Sequence, residues 1–385
     1  MRPLRQFCKI FSAFILFLMW IWLLHLLQAP NQLNSIPSVL YSSDQTYHSQ
    51  QHSTIMNGEE RAKLVLERCQ LNSTHVPCTY KSRPLLPRML PLPSKRFVLC
   101  ALGKTGSSNW RTLILILNGK ITPEEANSMV YPHAKEYWLG NGSLHYVQRN
   151  GYHELARQIE EEFYKITFVR DPLSRLLSAY RDKFTGNSTQ HEFLIYRVLR
   201  TKETCAALQR IVTEKPDGDL IPDEIYAYIK NEIGMNCKLE KKSFVSLGMF
   251  MSLQIFIPQN YGSRDLRDLI VNTHFVSMLS LCDHCQQKFD FIGTLENMEN
   301  DYIFLKNRLN LELDLPSISS TQPGVASKKE VSKMWSKLPE LLKQYVLYHL
   351  QDDAIIFGYD GYETSITRDM FPNHYEEQRD CHKSV

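Results

Sequence analysis

Hydrophobic and polar positions divide the chain into three stretches of different character. Residues Ile10 to Leu27 (IFSAFILFLMWIWLLHLL) form an uncharged apolar run of 18 residues, interrupted only by Ser12 and His25. A helix of that length can span a thin bilayer. Arg2, Arg5 and Lys9 precede the run, and no basic residue follows until Arg61. The positive-inside bias therefore predicts a cytosolic tail over 1–9, a transmembrane signal-anchor over 10–27 and a lumenal remainder, which is type II topology. A cleaved signal peptide is the rival reading, but the run exceeds an h-region of about 7–15 residues, and Gln28-Ala29-Pro30 makes a poor cleavage site.

The second stretch, 28–94, is rich in Ser, Gln, Asn and Pro and is predicted as a lumenal stem, with a short helix where the pattern turns periodic at Glu59 to Cys69. From 95 to 385 the pattern is that of a folded domain long enough to bury a substantial core. Its informative repeat is strand, loop, helix. Arg96 to Leu102 (RFVLCAL) is an apolar run of strand length, followed by GKTGSSN and a helix over Trp110 to Leu117 that ends at Asn118-Gly119. Lys165 to Arg170 (KITFVR) is a second strand; Asp171 suits the N-cap and Pro172 the first position of a helix reaching Phe184. Short apolar strands joined through helices predict an α/β sheet with parallel strands.

Composition and charge narrow the function. At 43% hydrophobic and 22% charged residues, the chain is neither a disordered tail, a collagen-like repeat nor a multi-span membrane protein. Setting aside the three cytosolic basic residues, 41 of the 44 Lys and Arg face 41 Asp and Glu. The lumenal part is thus neutral, and an anionic ligand must be held by a local patch. Neither the compartment nor the charge favours nucleic acid. Eight of the nine cysteines lie beyond the anchor, where disulfides are expected, although eight cysteines allow 105 pairings. Sequons at Asn72, Asn141 and Asn187 fit a secretory route and mark candidate glycosylation sites.

The loop after the first strand has the chemistry of an anion site. A glycine-bearing turn at a helix start presents backbone N–H groups, Lys104 adds a mobile charge, and Thr105, Ser107 and Ser108 add hydroxyls. It is not a Walker A loop, because Val98 stands where the first glycine is required. In the second unit Arg170 stands at the strand's C-terminal end, where open α/β sheets bind ligands. Leu173, Leu176, Leu177 and Tyr180 form an apolar stripe, and Ser174 and Ser178, four residues apart, share another face beside Arg175 and Arg181. Those arginines read equally as a solvated basic helix or as part of a second phosphate site.

Together, CALGKTGSSNW and ITFVRDPLSRLLSAYRDKF resemble the two nucleotide-binding signatures of Golgi sulfotransferases that use 3'-phosphoadenosine 5'-phosphosulfate (PAPS). The likeness is greatest to the carbohydrate sulfotransferases acting on chondroitin, dermatan and N-acetylgalactosamine. Asn272-Thr273-His274-Phe275, Cys282-Asp283-His284-Cys285, Phe289 to Gly293 with Glu296, and Tyr348, Asp352 and Phe357-Gly358-Tyr359 continue the match in order over roughly 95 to 360. Thr273 and Phe275 depart from the family's usual Glu and Trp.

The resemblance implies a P-loop-like three-layer α/β head. It also implies PAPS as donor with no metal required, a glycan or glycosaminoglycan acceptor, and a place in the Golgi membrane. It implies that Lys104 and the loop through Thr105, Gly106, Ser107, Ser108 and Asn109 hold the 5'-phosphosulfate, with Arg170 and Ser178 on the 3'-phosphate. Sulfuryl transfer also wants a base for the acceptor proton, for which His274 and Glu296 are the candidates. For Cys282 and Cys285, with no second ligand pair at similar spacing, structural disulfides are expected rather than zinc. Asp217-Gly218-Asp219 keeps open a metal-dependent Golgi glycosyltransferase using a nucleotide sugar. A stem-and-lectin protein without catalysis is the third reading.

Overall fold

The computed structural model describes residues 56–71, 89–128, 157–158, 161–184, 210, 213, 222–238, 246–256, 274–314, 328–366 and 370. The chain divides into 1–50 and 51–385, and every described residue belongs to the second unit. The expected anchor, the three sequons, Asp217 and Asp219 lie outside the described residues. Among the described residues no helix is long and apolar enough to cross a membrane.

In chain order the elements are α1 (Gly58–Leu71), β1 (Met89–Leu92), β2 (Phe97–Cys100), α2 (Ser107–Leu117), α3 (Pro123–Ser128), β3 (Tyr164–Val169), α4 (Pro172–Phe184), α5 (Asp223–Lys238), α6 (Leu247–Phe256), α7 (Met278–Cys282), β4 (Phe291–Thr294), α8 (Met298–Arg308), α9 (Lys328–Trp335) and α10 (Glu340–Phe357). The sheet has the order β1-β2-β3-β4. Leu99 pairs with Ile166 and Phe168 with Gly293 in parallel ladders, while β1 runs antiparallel to β2 at the edge. Both predicted strand-to-helix units are present, and their strands are adjacent and parallel as expected.

The apolar strand runs are explained by burial on both faces. Val98, Cys100, Val169 and Ile292 point to a core completed by α1, α7 and the end of α10. Phe97, Leu99, Ile166, Phe168 and Phe291 point to the opposite core, completed by α2 and α8. There Trp110, fully buried, lies 4.9 Å from the Phe168 ring and 5.6 Å from Tyr302, between centroids. Helices therefore cover both faces of the sheet. A third core joins the predicted stripe of α4, Leu173, Leu176, Leu177 and Tyr180, to α5, α6 and α10.

Two segments of the stretch expected to be stem belong to this folded unit. The helix predicted at Glu59 to Cys69 is α1, and Asn57 caps it: Asn57 Oδ1 accepts from the N–H of Glu59 (2.9 Å) and Glu60 (3.0 Å), while Glu60 returns a carboxylate to the Asn57 N–H. Inside the fold, Arg61 donates to the Ile292 carbonyl (2.7 Å) and pairs with buried Asp301, so α1 is clamped onto β4 and α8. β1, hidden in sequence by Pro91 in a Pro-rich run, adds an edge strand, the position where a strand proline is tolerated.

Among the described residues two disulfides complete the frame. Cys69 of α1 joins Cys285, and Cys100 at the end of β2 joins Cys282 of α7, with Cα–Cα separations of 5.4 and 6.2 Å. Both cysteines of the Cys282 to Cys285 pair are thus in disulfides, as expected, and each reaches a different part of the sheet assembly.

Candidate active site

The C-terminal ends of β2, β3 and β4 lie side by side, and each runs into a segment carrying polar side chains. After β2 the chain turns through residues 101–106 into α2, with Lys104 (φ 69°) and Gly106 (φ 80°) in the left-handed region. α2 begins at Ser107, three residues earlier than predicted, because Gly106 completes the turn. A side chain at Gly106 would also meet Met298 Cε at 2.6 Å. Thr105 is buried and donates its hydroxyl to the Leu102 carbonyl (3.0 Å), which closes the turn on itself. Asn109 is already helical, its N–H bonded to the Gly106 carbonyl. No side chain caps the α2 N-terminus.

The second loop is capped from within. Asp171 Oδ1 accepts from the Ser174 N–H (2.7 Å), the predicted N-cap, and its Oδ2 accepts from the Tyr362 hydroxyl (2.7 Å), which in turn accepts from the Leu173 N–H (2.8 Å). Arg170, the residue before it, is buried and donates through Nη1 to the Lys104 carbonyl (3.3 Å). Burial lowers the Arg170 pKa, opposed by the nearby carboxylates of Glu296 and Asp171; the guanidinium remains charged at neutral pH. Ser178 is buried two turns along the same helix.

Arg175 was legible only as one of several basic residues on α4. It is buried rather than solvated, and it donates through Nε to the Gly103 carbonyl (3.1 Å) and through Nη1 to the Val276 carbonyl (2.9 Å). Desolvation lowers its pKa to about 10. One buried cation thus ties the first loop to the segment that carries His274. The His274 ring lies so close to Gly103 that a methyl group there would come within 2.9 Å of Cδ2 and 3.4 Å of Nε2. Glycine at 103 is the condition for that approach. The same segment is pinned from α10. The Asp353 carboxylate accepts from the Ser277 hydroxyl (2.6 Å) and from the N–H groups of Met278 (2.8 Å) and Leu279 (3.1 Å) at the start of α7.

Glu296, just past β4, joins the group through both oxygens. Oε1 accepts from the Asp171 N–H (3.0 Å) and Oε2 from the Tyr359 hydroxyl (3.1 Å). Burial raises its pKa, and burial beside this carboxylate raises that of Tyr359 well above the ordinary phenol range. Lys104 Nζ forms an ion pair with Asp182 on α4, at 2.6 Å. Lys104, Arg170, His274 and Glu296, far apart in sequence, are therefore brought to one end of the sheet, with Ser178 on the helix that the second loop begins. Arg175, Asp182, Asp353 and Tyr362 are the members that sequence reasoning missed. Their partners are backbone carbonyls, backbone amides or residues of distant elements, and such pairings leave no local pattern.

The ends of the three parallel strands thus carry an uncapped helix start, a lysine and a buried arginine. The sequence profile of the sulfotransferase family matches residues 87–360, and the chain belongs to that family. Among curated proteins it is similar to carbohydrate sulfotransferase 10 of Xenopus laevis, 24% identical over 336 residues that cover 85% of this chain and 81% of that protein. Carbohydrate sulfotransferase 10 of Gallus gallus is 25% identical over 312 residues, covering 78% and 74%. Carbohydrate sulfotransferase 12 of Xenopus laevis is 24% identical over 273 residues, covering 68% of this chain and 57% of its own length. No solved structure matches the chain.

Proposed function

We propose that this sulfotransferase moves the sulfuryl group of PAPS to a hydroxyl of a glycan or glycosaminoglycan, with N-acetylgalactosamine of chondroitin or dermatan type as the acceptor. The observation that carries the reading is the Arg170 guanidinium on the Lys104 carbonyl (3.3 Å), which joins two loops of complementary cationic character. The donor set suits a molecule with phosphate at both ends: backbone amides and Lys104 on one side, Arg170 and Ser178 on the other. The carbohydrate sulfotransferases to which the chain is similar support a sugar acceptor.

When bound, the donor supplies an activated sulfuryl group on a phosphate leaving group. Lys104 then meets the negative charge that develops on the leaving side, helped by the amides of residues 105–109. Arg170 and Ser178 hold the far phosphate and fix the donor's direction, which is most of what an in-line displacement requires. His274, whose ring lies against Gly103, takes the proton from the acceptor hydroxyl. Both oxygens of Glu296 already accept hydrogen bonds from the chain, so its part is to hold the second loop. The reading calls on no metal ion.

The same reading places the enzyme in the Golgi membrane, with 1–9 cytosolic, 10–27 spanning, the catalytic unit lumenal, and glycans on Asn72, Asn141 or Asn187. N-terminal sequencing of the mature protein that began after residue 27 would overturn that topology. For the reaction, the lumenal portion is incubated with sulfur-labelled PAPS and a panel of desulfated chondroitin, dermatan and N-glycans. Label in chondroitin or dermatan is expected. Label only from nucleotide sugars with manganese would replace this reading with the glycosyltransferase.

A further inference from the structure

The polar face of α4 is a stripe spaced by four: Ser174, Ser178, Asp182. Residues at that spacing lie one above another on a helix. Lys104 reaches across to the last of them, Nζ to Asp182 Oδ2 at 2.6 Å, and both side chains are four-fifths buried, at 20% and 19% exposure. The lysine approaches from a backbone held at φ 69°, and its own carbonyl is occupied by Arg170. Lys104 is thus held at two points, its carbonyl by Arg170 just before α4 and its ammonium by Asp182 on α4. The ammonium assigned to the leaving phosphate is also the partner of a carboxylate.

We propose that Asp182 is a positioning residue for Lys104. It holds the ammonium in the donor-free enzyme, and the donor must take that partner over when it binds. The inference rests on the assignment of Lys104 to the donor site. A carboxylate close to a phosphate site opposes anion binding by charge alone, but an ion pair to the lysine adds a second cost. The lysine must leave a compact, partly dehydrated partner before it can serve the phosphate. In exchange, Lys104 is held near its working place, with its long side chain ordered before the donor arrives. Asp182 therefore weakens donor binding while leaving the chemical step to Lys104.

The test is a double-mutant cycle on the full catalytic unit, with binding of 3'-phosphoadenosine 5'-phosphate measured by calorimetry and sulfate transfer measured separately. Asp182→Asn is expected to tighten binding by about 3- to 10-fold and to lower the donor KM by a similar factor, with kcat changed by less than about 2-fold. Asp182→Glu, which restores the charge, is expected to return both towards wild type. In a Lys104→Met background, Asp182→Asn is expected to tighten binding by a clearly smaller factor, because only the simple repulsion is then removed. An equal gain in both backgrounds would make Asp182 a general repulsive charge and overturn the proposal, as would unchanged or weaker binding in Asp182→Asn. If wild-type protein does not bind the nucleotide at all, the donor-site assignment itself fails, which is a different result from a bound nucleotide indifferent to Asp182.

Discussion

The two strand-to-helix loops start from the same plan and solve opposite problems. After β3, the turn satisfies itself: Asp171 caps α4, Tyr362 supports Asp171, and Glu296 takes the Asp171 N–H. After β2, the turn is left open at the helix end. Gly106 stands at the N-cap without a side-chain oxygen, and Lys104 is held in the left-handed region that non-glycine residues seldom occupy. A self-capped loop is a rigid support for side chains such as Arg170. An uncapped one offers its own amides, and backbone strain of this kind is kept where a ligand uses it. Both loops thus bring a cation to the strand ends, but one adds free backbone amides and the other a braced support.

The sharpest way to break that comparison is at the open loop. Lys104→Ala is expected to reduce turnover by about 100- to 1000-fold with less effect on donor binding, as for loss of a preorganised charge contact; near-normal turnover in a single-turnover assay would remove the lysine from the chemistry. His274→Ala is expected to cost at least about 100-fold in rate while nucleotide affinity and melting temperature hold, with Glu296→Gln losing less, and pH–rate profiles of the two variants separate them. At the capped loop the signature reverses. Arg170→Ala is expected to weaken nucleotide binding by about 10- to 100-fold, the range for a charged hydrogen-bonding contact, with Ser178→Ala weaker in the same direction; calorimetry reads both.

Stability changes sharpen the contrast further. Gly106→Ala forces a side chain into φ 80° and against Met298, and is expected to cost about 2 kcal/mol. Asp171→Ala removes a cap and is expected to cost about 1 kcal/mol in denaturant unfolding. The smallest effect lies beside the disulfides. Burial raises the Asp283 pKa from 3.8 to about 6, so folding favours its protonated form; that contribution is complete below the unfolded value and is lost as pH rises through about 6. Asp283→Asn, which suits the left-handed φ of 53° there, is expected to stabilise by up to about 1 kcal/mol at neutral pH, because no charge is then buried. The gain should vanish in acid, which melting curves across pH would reveal.

Sequence alone exposed the parts of this fold that are local. Asp171-Pro172, the apolar strands and the Asn118-Gly119 stop carry their structure in neighbouring residues, and α4 begins and α2 ends where those signals stand. β1 was hidden because a four-residue strand containing Pro91 reads as a linker until β2 is there to pair with it. His274 was found through a segment rather than through its own chemistry, whereas Arg175 went unassigned because its acceptors, the Gly103 and Val276 carbonyls, are 72 and 101 residues away. Buried polar residues whose partners are backbone groups have no periodicity to betray them.

The Cys69–Cys285 disulfide has a consequence for proteolysis. It spans 216 residues of sequence and fastens α1 to the turn that follows α7, within the core the two helices share. A protease that nicked the chain between Leu71 and Met89 would release nothing: α1 would stay attached, its Arg61 still seated against β4 and Asp301. The nicked protein would migrate as one species on a non-reducing gel and as two after reduction. A fragment begun at residue 95 would instead lack β1 and α1 together and carry Cys285 as a lone thiol, ready to pair with a second molecule.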